Sequence, residues 1–306
     1  MGAFHCPVGA PFHDGDGCIL CGLCQAATKE EMVKATEIIR AHFRAQAQRR
    51  SDFKKVAICG KGGTGKSTIA TLMAGALSEM GQSVLVIDTD ESNPGLCRML
   101  GFDKEPRPLT KLLSRFSSGE ADPNTEWIRR DQISISDIPS GYILEKDGLR
   151  FMMVGKIEDP LQGCACTMAD MAREFVGKLL LKDNEVAIID AEAGIESFGR
   201  GVERSIDTVL VVIEPSFDSI AIAEKISFMA DGIGVKMVRA ILNKIPSEEV
   251  RKSISETLVK RATVSEIGTI HFDAEVSKAG FGGDPLGESR AKEEMKEIIR
   301  NEGFLP

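Results

Sequence analysis

The sequence predicts an α/β fold in which a mostly parallel sheet carries helices on both faces. Short, continuous aliphatic runs recur between stretches with helical periodicity, as expected of strands that are covered on both sides. Hydrophobic residues make up 42% of the 306 residues but aromatic residues only 5%, which suits an aliphatic core between packed layers. We therefore expect one large α/β domain over 51–306, preceded by a small module over 1–50.

The elements of the larger domain are expected to alternate as strand, loop and helix. A strand at 56–59 precedes a glycine-rich loop and an Ala- and Leu-rich helix over 67–80. The segment 103–140 is rich in proline and is predicted to form short helices and loops over the edge of the sheet that carries the glycine-rich loop. A mixed, Glu-rich helix closes the chain at 287–301. Further aliphatic strands are predicted at 84–87, 151–154, 186–189, 209–213 and 238–242.

The glycine-rich loop has the pattern of a phosphate-binding P-loop. Its glycines let backbone N–H groups turn toward phosphate oxygens, a lysine neutralises the β and γ phosphates, and a hydroxyl binds Mg²⁺. Because the loop lies between a strand and a helix, we expect a P-loop NTPase fold that binds ATP and Mg²⁺. The loop and the start of its helix read Gly60, Lys61, Gly62, Gly63, Thr64, Gly65, Lys66, Ser67 and Thr68.

A second lysine, Lys61, stands near the start of this loop. The sequence KGGTGKST resembles the deviant P-loop class that contains the nitrogenase iron protein, MinD and ParA. That resemblance implies a homodimer in which Lys61 reaches the partner's nucleotide and acts as a catalytic cation supplied in trans, beside Lys66. A solvated loop lysine is the alternative interpretation of Lys61.

Polar residues at strand ends match the same class. The resemblance implies that Asp90 positions the attacking water, that Asp88 supports the metal site, and that Asp190 holds Mg²⁺. It also implies that Asn243 reads the adenine. An ordinary strand-end or helix-capping carboxylate is the alternative for each acidic residue.

The segment that begins at Asp190 narrows the resemblance. DAEAGIESFGRG is similar to the second switch of CooC-type ATPases, which help to insert nickel into carbon monoxide dehydrogenase. Cys164 and Cys166 form a C-x-C upstream of it, as in that family. In an extended segment both sulfurs face one side, so a two-fold dimer offers four thiolates to zinc, or to nickel if the ligands flatten. A shared iron–sulfur cluster and two simply buried cysteines are the other possibilities.

The N-terminal module has its own cysteine pattern, C-x₂-C-x₂-C, which is typical of loops that wrap a [4Fe–4S] cluster. A fourth cysteine before Pro7 completes a ligand set, although zinc bound by four thiolates is the alternative. We expect iron–sulfur because the triple spacing is tighter than in ordinary zinc pairs. The predicted ligands are Cys6, Cys18, Cys21 and Cys24.

Three functions compete. The first is a dimeric ATPase and metallochaperone that assists nickel insertion into a nickel–iron–sulfur client of the carbon monoxide dehydrogenase or acetyl-CoA synthase type. The second is an ATP-gated electron donor resembling the nitrogenase iron protein, which uses two well-separated cysteines and for which Cys97 is a candidate. A partitioning or scaffold ATPase is a third hypothesis, but it leaves six clustered cysteines unexplained.

Charge and hydropathy exclude several partners. The formal net charge is −8, which disfavours a nucleic-acid partner. We find neither a secretory signal nor an apolar run near the roughly 20 residues that span a bilayer, so we expect a cytoplasmic protein with no membrane partner.

Overall fold

The fold was analysed in a computed structural model, which describes the larger domain with several gaps. The cysteine module predicted at 1–50 and its linker helix lie outside the described residues, Lys34 excepted. The described residues are 34, 54–90, 95–112, 125–155, 165–191, 205–233, 235, 237–261 and 264–302.

An eight-stranded sheet with the order β10-β9-β8-β1-β7-β2-β5-β4 organises these residues. Every neighbouring pair is parallel except β4 with β5. The predicted mostly parallel sheet is therefore confirmed. The strands are β1 Lys55–Gly60, β2 Ser83–Asp88, β3 Ile133–Ser134, β4 Leu144–Lys146, β5 Leu149–Met153, β6 Leu179–Leu180, β7 Glu185–Asp190, β8 Thr208–Ile213, β9 Met237–Ile245 and β10 Ser265–His271.

Helices cover the sheet and give it two separate apolar cores, one on each face. The last helix packs against the first, and its buried residues include Met295 and Ile299. Within the described ranges, no helix combines the length and the apolar character needed to cross a membrane. The helices are α1 Lys66–Glu79, α2 Leu96–Met99, α3 Ala165–Lys178, α4 Phe217–Ile233, α5 Glu248–Arg261, α6 Ala274–Gly282 and α7 Arg290–Asn301.

The prediction for the proline-rich segment 103–140 is wrong in part. Short 3₁₀ helices are present, but β3 pairs with β6, and β6 lies just before the start of β7, at the amino edge of the sheet. Trp127 packs edge-on against Phe175 of α3, with ring centroids 6.3 Å apart. This part of the segment therefore extends the core on one face and lies away from the edge that carries the glycine-rich loop.

Candidate functional site

The P-loop begins where β1 ends and leads directly into α1. Thr64 closes a tight turn, because its backbone N–H and its Oγ1 donate to the Lys61 carbonyl at 3.3 and 2.9 Å. Gly65 precedes the first turn of α1 with φ +91°, a conformation that a residue with a Cβ rarely adopts. The start of α1 therefore lies directly after this turn, and helix N-termini favour anions.

Two residues that follow one another on β9 support the loop from the side. The Asn243 side chain is buried, and its Nδ2 donates to the Thr64 carbonyl at 2.8 Å. Lys244 has a left-handed backbone with φ +58°, and its Nζ donates to the Gly63 carbonyl. Sequence reasoning proposed Asn243 for the adenine and missed Lys244, because a lysine after a strand carries no signal by itself. The structure gives both residues a contact with the P-loop backbone.

We predict that alanine at Gly65 is more harmful than alanine at Gly63. Both glycines have positive φ, +91° and +84°. A Cβ at Gly65 meets Asn243 Nδ2 at 2.5 Å, whereas a Cβ at Gly63 meets nothing within 4 Å. Left-handed strain alone costs about 1–2 kcal/mol, and the clash adds about 1–3 kcal/mol for Gly65→Ala. Urea unfolding without nucleotide measures both variants, and equal losses of stability would contradict the clash.

Acidic side chains gather at the carboxyl ends of β2 and β7, which are paired so that Asp88 lies beside Asp190. Asp190 is fully buried, and Ser67 Oγ donates to its Oδ2 at 2.5 Å. Asp190 Oδ1 has no hydrogen-bond partner among the described residues. The backbone N–H of Asp90 donates to Asp88 Oδ1 at 3.1 Å. The structure thus brings together Ser67 and all three predicted carboxylates.

The electrostatics of this cluster suit a divalent cation. Burial is the largest of the influences that raise the pKa of Asp190 to about 7; Asp88 and Asp90 also raise it, whereas Ser67 and Lys66 lower it. A buried carboxylate with an unpaired oxygen beside a serine hydroxyl is an incomplete ligand set of hard oxygens, which Mg²⁺ prefers. The residues present therefore fit Mg²⁺.

The two loop lysines differ in their surroundings. Lys66 is buried at the start of α1, with 7% of its surface exposed. The side chain of Lys61 is 36% exposed, and its Nζ lies 3.8 Å from both Glu214 Oε1 and Asp218 Oδ2. Sequence reasoning missed these two acidic residues, because only the order of the strands brings them to the loop.

A cavity of about 210 Å³ lies beside the P-loop helix. Thr68 and Asn243 line one side, and Phe272 and Asp273, which follow β10, line the other. Asp273 caps α6 by accepting from the Glu275 N–H at 2.9 Å, so the far wall is held in place. The cavity therefore adjoins both the P-loop helix and the asparagine that was predicted to read the base.

The predicted cysteine ligands are described only in part. Cys164, the N-terminal cysteines and the second switch from 192 to 201 lie outside the described residues. Helix α3 includes Cys166 in its first turn, so the expectation of an extended segment is wrong for this residue. Among the described residues, no group of three or more histidine, cysteine or acidic side chains could hold a metal ion by itself, so the Mg²⁺ ligand set at Asp190 depends on the Ser67 hydroxyl and on phosphate oxygens of the nucleotide.

Two further cysteines belong to the core. Cys59 and Cys97 are buried, and the Cys97 thiol donates to the Lys104 carbonyl at 3.3 Å. Burial is the main cause that raises the pKa of Cys97 to about 11. A thiol that stays protonated and covered is a poor metal ligand. Cys97 therefore does not provide the exposed thiolate that an electron-donor role requires.

Comparison with known proteins identifies the fold and the family. The family described as "CobQ/CobB/MinD/ParA nucleotide binding domain" matches residues 55–286. Among solved structures, MinD of Pyrococcus horikoshii in complex with Mg-ADP superposes with a TM-score of 0.61 at 18% identity, covering 81% of this chain and 95% of that one. MinD of Aquifex aeolicus gives 0.59 at 20% identity, covering 83% and 98%. At these identities the structures show the fold alone.

Relatives with higher sequence identity identify the group within this family to which the chain belongs. An uncharacterized ATP-binding protein of Methanocaldococcus jannaschii is 38% identical over 251 residues, which are 80% of this chain and 98% of that protein. The carbon monoxide dehydrogenase accessory protein CooC of Rhodospirillum rubrum is 32% identical over 236 residues, which are 75% and 88%. The chain therefore belongs to the CobQ/CobB/MinD/ParA nucleotide-binding family, and within it to the CooC-type ATPases.

Proposed function

We propose that this ATPase works as a homodimeric maturation factor that assists nickel insertion into an enzyme of the carbon monoxide dehydrogenase or acetyl-CoA synthase type. The observation that carries the proposal is the 32% identity with CooC, which extends over 88% of that accessory protein. The C-x-C and the sequence DAEAGIESFGRG support it from the residues themselves. ATP is hydrolysed to ADP and phosphate, and nickel is the cargo.

The nucleotide site supplies the first half of the mechanism. The P-loop N–H groups and Lys66 hold the phosphates, and the adenine enters the cavity beside Asn243. Ser67 and Asp190, supported by Asp88, are the residues that would hold Mg²⁺, which neutralises phosphate charge when it is bound. Asp90 orients the attacking water. Lys61 of the partner copy provides the last positive charge.

The cysteines supply the second half. Cys164 and Cys166 from both subunits form a four-thiolate site on the two-fold axis, which binds nickel or zinc. ATP binding closes the dimer and completes the four-thiolate site, so the metal is bound, and ATP hydrolysis opens the dimer and releases the metal to the client enzyme. This coupling passes through the segment after Asp190.

The test compares metal binding and client activation. We expect Cys164→Ala/Cys166→Ala to lose nickel and zinc binding and to stop activating the nickel enzyme, with ATP binding retained. Cys59→Ala/Cys97→Ala is the matched control, since it removes two core thiols and should keep the metal. Metal analysis of anaerobically purified dimers and an activation assay give the result. Normal metal binding and activation by the first variant would refute the chaperone role.

The N-terminal cysteines are proposed to hold a [4Fe–4S] cluster that docks the client, senses redox state or keeps the metal centre reduced. The argument is the C-x₂-C-x₂-C spacing together with Cys6. Anaerobic purification with iron analysis and EPR should show a reducible cluster that the Cys18→Ser variant lacks. A zinc-loaded, iron-free protein would overturn this assignment. The electron-donor alternative is disfavoured, because Cys97 is buried in the core.

A further inference from the structure

Two carboxylates of the same chain face the lysine that the proposed function assigns to the partner's nucleotide. Lys61 Nζ lies 3.8 Å from Glu214 Oε1 and 3.8 Å from Asp218 Oδ2. We propose that these acidic residues hold Lys61 within its own chain, and that ATP-dependent dimerisation must break this hold before hydrolysis begins. The proposal rests on the proposed role of Lys61 in trans, and it adds a regulatory contact to that role.

The sheet builds this contact. Strand β8 pairs with β1 up to Gly60, so the residue that follows β8 emerges beside the start of the P-loop. Glu214 is fixed there from two further directions. Its backbone N–H donates to Ser219 Oγ at 3.1 Å, and its Oε2 accepts from Lys244 Nζ at 3.3 Å. Asp218 lies in the first turn of α4, so a rigid helix carries the second carboxylate.

The same carboxylate connects Lys61 to the support of the P-loop. Lys244 Nζ contacts both the Gly63 carbonyl and Glu214. Glu214 therefore contacts two lysines, Lys244, which supports the P-loop, and Lys61, which must be released for dimerisation. When Lys61 departs, Glu214 keeps Lys244 as a counter-charge. Release therefore does not leave an isolated carboxylate, which makes the contact reversible.

The strength of the hold follows from its exposure. The side chains of Lys61, Glu214 and Asp218 are 36%, 22% and 74% exposed, so each ion pair is weak and sensitive to salt. A weak hold suits a device that must open. Loss of both ion pairs is expected to change the equilibrium constant between separate chains and the closed dimer by a factor of about three to ten.

The test uses Asp218→Asn, because Glu214 also contacts Lys244 and its replacement would disturb the P-loop. The matched control is Asp231→Asn, which changes an exposed carboxylate at the other end of α4. The protein concentration that gives half-maximal ATPase rate per chain is measured, together with sedimentation in a non-hydrolysable ATP analogue. We expect this concentration to fall about two- to threefold for Asp218→Asn, which removes one of the two ion pairs, and to stay unchanged for the control. An unchanged or higher concentration for Asp218→Asn overturns the proposal.

A second comparison shows whether the effect acts through Lys61. In a Lys61→Ala background, where the hold is already absent, Asp218→Asn should no longer change dimerisation in the analogue. An equal shift with and without Lys61 would indicate a general charge effect and would overturn the proposal. If Lys61→Ala hydrolyses ATP normally, the proposed role of Lys61 in trans fails and the hold with it. If Lys61→Ala is inactive but Asp218→Asn causes no shift, the hold alone is refuted.

Discussion

Replacing Lys61 with alanine is expected to lower ATP turnover by about 10³-fold or more while ATP affinity stays close to that of the wild type. The reason is a division of labour between the two loop lysines. Lys66 is buried at the start of α1, where it contributes to binding, whereas Lys61 is partly exposed and directed toward Glu214 and Asp218. Steady-state phosphate release and equilibrium titration with a fluorescent ATP analogue separate the two properties.

Mixing two inactive variants tests whether Lys61 acts in trans. Asp90→Ala is expected to bind ATP without hydrolysing it, and it keeps Lys61. In a mixed dimer, this subunit supplies Lys61 to the nucleotide that the Lys61→Ala subunit binds, so one of the two sites becomes complete. Turnover should therefore rise when the two variants are combined. Unchanged turnover in Lys61→Ala alone, or no recovery on mixing, would contradict trans activation.

The central strands could be predicted from the sequence because they are buried on both faces. Val84–Ile87 and Val186–Ile189 are wholly aliphatic, and each lies within the observed strand, which extends one residue further at each end. A strand with this composition has no other stable place in a soluble fold than between two layers of helices. The predicted P-loop helix, 67–80, is likewise displaced by only one residue from α1.

The edge of the sheet could not be predicted in the same way. Strand β10 was missed because SEIGTIH mixes polar residues and a glycine with two isoleucines, and only Ile267 and Ile270 are buried. Helix α5 was missed because it buries only Ile254 and Leu258 along 14 residues. Peripheral elements contribute little apolar surface, so their sequence pattern is correspondingly weak.

The residues of the candidate site also fall into two groups, those that the sequence could predict and those that it could not. Contiguous motifs identified Lys66, Ser67 and Asp190, because the spacing of a P-loop and an acidic strand end reflect local geometry. Glu214 and Lys244 reach the loop only because β8 and β9 follow β1 in the sheet. Since the sequence alone does not determine the order of the strands in the sheet, it could not predict contacts between the ends of neighbouring strands.

Asp190→Asn is expected to have opposite effects on stability and on activity. In EDTA, the raised pKa of about 7 means that the folded chain binds a proton that the unfolded chain releases, so this group loses stability as pH rises from about 4 to about 7. Asparagine does not ionise. At pH 8 the metal-free variant should therefore be more stable than the wild type by about 1–3 kcal/mol, after the cost of burying an amide is subtracted.

The ATPase activity of Asp190→Asn should fall, because the Asp190 carboxylate, which destabilises the metal-free fold, is the group that would hold Mg²⁺. Mg²⁺ and ATP should raise the melting temperature of the wild type and raise that of Asp190→Asn much less. Asp131→Asn, which changes an exposed carboxylate, is the control and should follow the wild type at every pH. Thermal unfolding between pH 4 and 8, with and without Mg²⁺ and ATP, decides the matter. A variant that is less stable than the wild type in EDTA at pH 8, or that keeps Mg²⁺-dependent turnover, would show that Asp190 is a structural carboxylate. The expected results, higher stability without metal and lower activity, would mean that the buried carboxylate of Asp190 lowers the stability of the fold because it is needed for function.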